Sequence, residues 1–229
     1  MPEPKPADSL WRDKTYRRLW LSLLLSAFAA QITGLTLALT AAVQLRATAT
    51  QIATLGVMAV LPYALFLLPA GVWLDRRQKL PAYLAGELVM AAALAAVPLA
   101  WACDRLEIGI LYAVSFVGGV VSVVSGTAGQ IVLTQVVRRD QLVEAHGRSR
   151  VAASLAEVAG PGVAGILIKL VGGPLALLAN CAVLLGSVAI LRRLDVAEPP
   201  PDQDHPSFWP QLKEGIRFVA GDRLLLSMA

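Results

Sequence analysis

Six long apolar stretches dominate the chain, at residues 19–43, 52–74, 80–102, 108–135, 151–171 and 174–194, each with few charges or none. A helix rises about 1.5 Å per residue, so roughly twenty residues cover the ~30 Å of hydrocarbon in a bilayer. Inside that hydrocarbon every backbone amide needs a partner within its own element or a closed sheet, which leaves helices or barrels. The stretches are continuous rather than alternating, so barrel strands do not fit and membrane-spanning helices do. Composition agrees, since 56% of the residues are hydrophobic and only 16% charged. A water-soluble enzyme does not fit that balance, and the lipid bilayer is the first partner the sequence implies.

A net charge of +4 raises the question of a nucleic-acid partner, but the basic residues lie between the apolar stretches rather than along one face. With six spans in place, Lys5, Arg12, Lys14, Arg17 and Arg18 fall on one side of the membrane, followed there by Arg76, Arg77 and Lys79. Arg138, Arg139, Arg148 and Arg150 join them, as do Arg192, Arg193, Lys213, Arg217 and Arg223. Only Arg46, Arg105 and Lys169, out of 20 Lys and Arg, remain for the opposite side. Such asymmetry marks the cytoplasmic face, so both termini are expected in the cytoplasm of a cell (inner) membrane protein, with no nucleic-acid role. Cys103 and Cys181 lack metal-ligand spacing and His146 and His205 are the only histidines, so no metal site, cofactor or hydrolytic triad is expected.

The segmentation follows from these signals. Residues 1–18 read as a cytoplasmic N-terminal segment with cations around Trp11 and Tyr16, and residues 19–194 as a six-helix bundle. Residues 195–223 read as a cytoplasmic linker, broken by Pro199, Pro200 and Pro201 and then carrying Trp209, Leu212, Ile216 and Val219 at a helical spacing that suits an interfacial helix and equally a helix packed on a partner. Residues 224–229 begin another apolar stretch, expected to be the start of a truncated seventh helix.

Between the second and third stretches the chain reads Gly71-Val72-Trp73-Leu74-Asp75-Arg76-Arg77-Gln78-Lys79. This resembles the signature loop of the major facilitator superfamily, matching it at Gly71, Asp75, Arg76 and Lys79 and departing from it at Trp73 and Gln78. The resemblance implies a gating loop in which the glycine permits close helix approach and Asp75 latches one conformation. Residues 156–165, Ala-Glu-Val-Ala-Gly-Pro-Gly-Val-Ala-Gly, are similar to the superfamily's antiporter motif through Gly160, Pro161 and Gly165, with Ala156 and Ala164 in place of glycines. Further likeness at Tyr16 to Trp20, at Glu144 to Ser149 and at Glu214 to Val219 resembles the branch that includes enterobactin exporters and macrolide efflux proteins.

The resemblance implies an all-α membrane protein with six transmembrane helices in a 3+3 inverted repeat, half of a twelve-helix fold. It implies a secondary active transporter exporting a small lipophilic solute, drug or siderophore by alternating access, with proton coupling as a further element. The pathway would then be completed by the C-terminal half of the same transporter or by a second copy. A non-transporting membrane interaction protein, or a truncated remnant, is the alternative. Two acids inside stretches, Glu87 and Glu157, are proton or substrate candidates because a charged carboxylate in hydrocarbon costs a few kcal/mol. Helical spacing sets Glu157 on a face with Ser154, Gly160, Pro161 and Ala164, looking to another helix or a polar cavity, whereas Glu87 lies within reach of the interface or Lys79. Thr33, Thr36, Thr40 and Gln44 share one face of the first stretch, and Ser115, Gly118, Gly119, Ser122, Gly126 and Gly129 share one face of the fourth. In the resembled fold these faces line the cavity; hydroxyl back-bonding and small-residue packing account for them equally well.

Overall fold

The computed structural model describes residues 9–194. Among them a short helix α1 (Ser9–Arg12) precedes six long ones: α2 (Lys14–Gln44), α3 (Ala49–Asp75), α4 (Lys79–Ala102), α5 (Ile108–Val136), α6 (Leu142–Val171) and α7 (Gly173–Leu191). All six are long and apolar enough to cross a membrane, and no strand occurs among the described residues. The chain is an all-helical, multi-pass membrane protein. The interfacial helix expected within 195–223 and the seventh helix expected from residue 224 lie outside the described residues, as do residues 1–8 of the N-terminal segment.

Local chemistry moves two helix starts outward from the apolar stretches. Asp13 caps α2, its carboxylate accepting from the Thr15 amide at 2.7 Å and the Tyr16 amide at 3.4 Å, so helix begins inside the segment expected as residues 1–18. Helix α6 likewise starts at Leu142, well ahead of the stretch at 151–171, and its first turns carry Glu144, Arg148 and Arg150. At the end of the bundle away from α1, every turn holds one left-handed residue: Arg46 (φ 49°), Asp104 (φ 55°) and Gly172 (φ 82°). Gly172 alone joins α6 to α7, so a full reversal passes through one residue, where the missing Cβ relieves the cost of that φ.

Helix pairing shows the internal symmetry. The extensive contacts join α2 to α6 and α7, α5 to α3 and α4, and α4 to α7. Exchanging α2 with α5, α3 with α6 and α4 with α7 maps this pattern onto itself: α2–α7 becomes α5–α4, α2–α6 becomes α5–α3, and α4–α7 is unchanged. Units of three spans reverse direction on exchange, so the relating axis lies in the membrane plane, which is an inverted repeat. Helices α3 and α6 exchange with each other, and both are peripheral. They leave apolar side chains exposed, among them Val60, Leu65 and Leu67 on α3 and Val158, Ile166 and Leu170 on α6.

Two apolar cores fill the bundle. One, toward α1, gathers Leu10, Tyr16, Leu19, Leu74, Leu133 and Leu191. The other gathers Leu37, Leu55, Leu94, Leu111, Leu177 and Leu184. Between them polar residues face inward from four helices: Ser26 on α2, Glu87 on α4, Ser125 on α5 and Ser187 on α7. The α1 end is tied down by side chains. Arg18 donates to the Arg193 carbonyl at 2.8 Å, and the Trp20 indole donates to the Arg148 carbonyl at 3.3 Å. The Arg148 guanidinium pairs with Glu144 and lies 5.0 Å over the Trp11 ring, which meets Trp20 edge-on.

Candidate functional site

A cavity of about 450 Å³ opens where the two cores meet. Helix α2 contributes Ser26, Thr33 and Gly34, α3 contributes Ala59 and Tyr63, and α4 contributes Tyr83, Glu87 and Met90. Helix α5 supplies the longest wall through Ser115, Gly118, Gly119, Ser122, Ser125 and Gly126, much of the small-residue face its spacing predicts. That face does two jobs. At Gly119 the α3 backbone comes so close that a Cβ would stand 2.4 Å from the Ala59 carbonyl oxygen and 2.7 Å from Pro62 Cγ. Pro62 has no amide hydrogen and frees a carbonyl one turn earlier, which loosens α3 where it presses on α5. At Gly126, by contrast, a Cβ would meet nothing within 4 Å, and the missing side chain leaves room in the cavity.

Glu87 is the acid of this cavity. Its side chain is buried, with the residue only 4% exposed, and Oε2 has no hydrogen-bond partner. It sits two helical turns, about 12 Å, along α4 from Lys79. The expectation that it reaches the interface or Lys79 is not met, because Lys79 turns back and donates to the Asp75 carbonyl at 3.4 Å. Ser26 faces Glu87 from α2, and Tyr83 lies one turn away on α4. Hydroxyl contacts lead onward toward the α1 end: Tyr83 Oη to Ser26 Oγ at 3.3 Å, Ser26 Oγ to Ser187 Oγ at 3.3 Å, and Ser187 Oγ donating to the Ser22 carbonyl at 3.4 Å. Ser125 Oγ has no partner and presses on α4 at Gly86, where a Cβ would lie 2.0 Å from it.

Asn180 on α7 braces the α2 wall. It is fully buried and donates from Nδ2 to the Ala29 carbonyl at 2.9 Å and to Thr33 Oγ1 at 2.8 Å. Neither Asn180 nor the Tyr83–Ser26–Ser187 chain is marked by the sequence pattern. Their only signal is a lone polar group inside an apolar stretch.

The remaining candidates separate. Ser122 lines the cavity. Thr36 and Thr40 are buried with unpartnered hydroxyls but lie outside the lining, and Thr40 Oγ1 instead occupies the space a Cβ on Gly173 would need, 2.3 Å away. Gln44 is exposed at the end of α2. Glu157 is exposed on α6 within the described bundle and does not line the cavity. Helix α6 packs inward through Ala152, Ala156, Gly160 and Ala164, a stripe that drifts by about 40° per step, and Glu157 stands at its edge, about 100° around from Ala156 and about 20° from Ala164.

In the motif at 156–165, Gly160 makes the close approach, since a Cβ there would stand 2.6 Å from Gln31 Cβ on α2, whereas Pro161 and Gly165 are exposed. In the loop motif, Asp75 ends α3 with an exposed side chain, and the Arg76 amide caps the helix by donating to the Trp73 carbonyl at 3.3 Å. Gly71 makes no close approach inside this bundle, as a Cβ there would meet nothing within 4 Å. Among the described residues no group of three or more His, Cys, Asp or Glu is placed to hold a metal ion.

Six spans in two inverted three-helix units, around a cavity with one buried acid, have the architecture of a transporter half built from inverted repeats. Residues 19–229 match the Major Facilitator Superfamily, and the chain belongs to that family. It is therefore a transporter of the major facilitator type. The chain matches no curated protein.

Proposed function

We propose that the chain is the N-terminal half of a proton-coupled exporter of a small lipophilic solute, of the branch that includes enterobactin exporters and macrolide efflux proteins. The cavity at the seam between the two cores, with Glu87 in its wall, is the observation that supports this reading. A carboxylate held at that depth costs a few kcal/mol when ionised and unpaired, so it alternates between a bound proton and a bound solute. The hydroxyls of Ser26, Tyr83 and Ser187 give the proton a route toward the basic end, which the excess of Lys and Arg assigns to the cytoplasm of a cell (inner) membrane protein.

The exposed apolar faces of α3 and α6, together with Glu157, Pro161 and Gly165, meet the C-terminal half of the transporter or a second copy. Rocking of the two units about the cavity exchanges access, and the Gly71, Asp75, Arg76 and Lys79 loop holds the cytoplasmic side in one state. Transport by the whole transporter in everted vesicles tests the reading. Glu87→Gln abolishes proton-driven solute uptake, and Asp75→Asn abolishes efflux while leaving the amount of protein in the membrane unchanged. Full proton-driven transport by Glu87→Gln refutes the coupling role.

A further inference from the structure

We propose that the transported solute is a monovalent lipophilic cation, an amine or onium ion whose charge rests against Glu87. The inference depends on the export-cavity reading above and narrows it, because it excludes anionic solutes such as deprotonated siderophores. The described cavity lining holds one acid, Glu87, and no Lys, Arg or His. One oxygen of that acid, Oε2, is buried and unpartnered in a residue only 4% exposed. An anion entering the cavity would stand beside a carboxylate at bilayer depth with no counter-charge in this wall, a like-charge arrangement that costs several kcal/mol. A cation instead meets a carboxylate whose burial makes the pairing stronger than in water.

The rest of the wall sets the body of the solute. Leu37, Val60, Val114 and Met90 are apolar, and the thioether of Met90 adapts to irregular shapes. Tyr63 and Tyr83 add aromatic rings to the lining, and such rings attract onium ions. Ser122 and Ser125 supply hydroxyls that hydrogen-bond without adding charge. A volume of about 450 Å³ lies in the range of small-molecule sites and far below that of a folded peptide. One carboxylate balances one positive charge, so a dication is disfavoured.

Two ions of nearly equal size and opposite charge separate charge recognition from lipophilicity. Radiolabelled tetraphenylphosphonium and tetraphenylborate are each dialysed against the purified full chain in detergent, with protein-free micelles subtracted. Saturable phosphonium binding, no saturable borate binding and an affinity at least about tenfold lower in Glu87→Gln, equivalent to ~1.4 kcal/mol, are expected. Glu87→Asp, which keeps the charge on a shorter arm, falls between the two. Gly126→Trp, with open space at its Cβ, fills the cavity and removes phosphonium binding.

Borate binding equal to phosphonium binding in the unaltered chain, or no saturable phosphonium binding to it, overturns the cation assignment without relying on any variant. Phosphonium binding that survives Glu87→Gln but is lost in Gly126→Trp overturns the charge role of Glu87 and leaves the cavity as the binding site. Phosphonium binding that survives Gly126→Trp places the site elsewhere, and the cavity reading falls with it.

Discussion

Gly119→Ala tests the helix crossing that shapes the cavity. The new Cβ would stand 2.4 Å from the Ala59 carbonyl oxygen and 2.7 Å from Pro62 Cγ, whereas ordinary Cβ contacts begin near 3.4 Å. Neither obstacle has a rotamer through which to escape, so α3 and α5 must part by about 1 Å. Overpacking of this kind costs about 1–3 kcal/mol, and a rigid backbone obstacle puts it at the upper end. Replacing a helical glycine by alanine also gains about 1 kcal/mol of intrinsic propensity. Gly126→Ala on the same helix gains the same term with nothing within 4 Å of its Cβ, so the difference between the two variants isolates the packing cost. At roughly 2–4 °C per kcal/mol for a bundle of this size, Gly119→Ala should melt about 4–12 °C below Gly126→Ala. Fluorescence-detected size exclusion of detergent-solubilised protein after graded heating measures the difference. Equal melting of the two variants refutes the close crossing.

Three other joints are probed by the same heating assay. Asn180→Leu removes two donated hydrogen bonds, worth about 0.6 kcal/mol each in membrane helices, and should lower the melting point by about 2–5 °C. Gly172→Ala forces a Cβ onto a residue at φ 82°, costing about 1–2 kcal/mol, whereas Gly165→Ala on the open side of α6 should gain up to about 1 kcal/mol of helix propensity. Arg148→Ala loses both the Glu144 pair and the cation over Trp11, a loss of about 1–2 kcal/mol that Arg148→Lys should recover only in part; equal stability of the three proteins would show that the α1 end is not held there.

The spans were legible because the length of an apolar stretch is a direct physical requirement of the bilayer, and the direction of each span followed from parity. The small face of α5 was legible for the same reason, since Ser115, Gly118, Ser122 and Gly126 repeat at helical spacing. Which helices pair was not, because consecutive spans such as α2 and α3 make few contacts while α2 and α7 make many. That gap explains the two acids. Glu157 stands in a Gly-Pro setting that suggests a buried role, yet it is exposed at the edge of the buried stripe of α6, while Glu87 sits in a plain apolar stretch and becomes the cavity acid only when α2, α5 and α7 close around α4. Ser26 and Ser187 illustrate the same point. Each alone is indistinguishable from a back-bonded serine, and they form one polar layer because two distant spans place them at one depth.

The pairing of α2 with α6 and α7 also sets a schedule for biosynthesis. The first span to enter the membrane finds its main partners only when the last two described spans emerge. Until then Thr33 and Thr40, which meet Asn180 and Gly173 of α7 in the described bundle, lack those neighbours. Helix α3 waits as well, because α5 is its principal neighbour. A ribosome that stalls after α5 therefore leaves these two hydroxyls of α2 without their α7 neighbours, a mark by which an unfinished chain differs from a finished one. The described bundle closes from its later spans back onto its first, with the Asn180 brace of α7 among the last contacts to form.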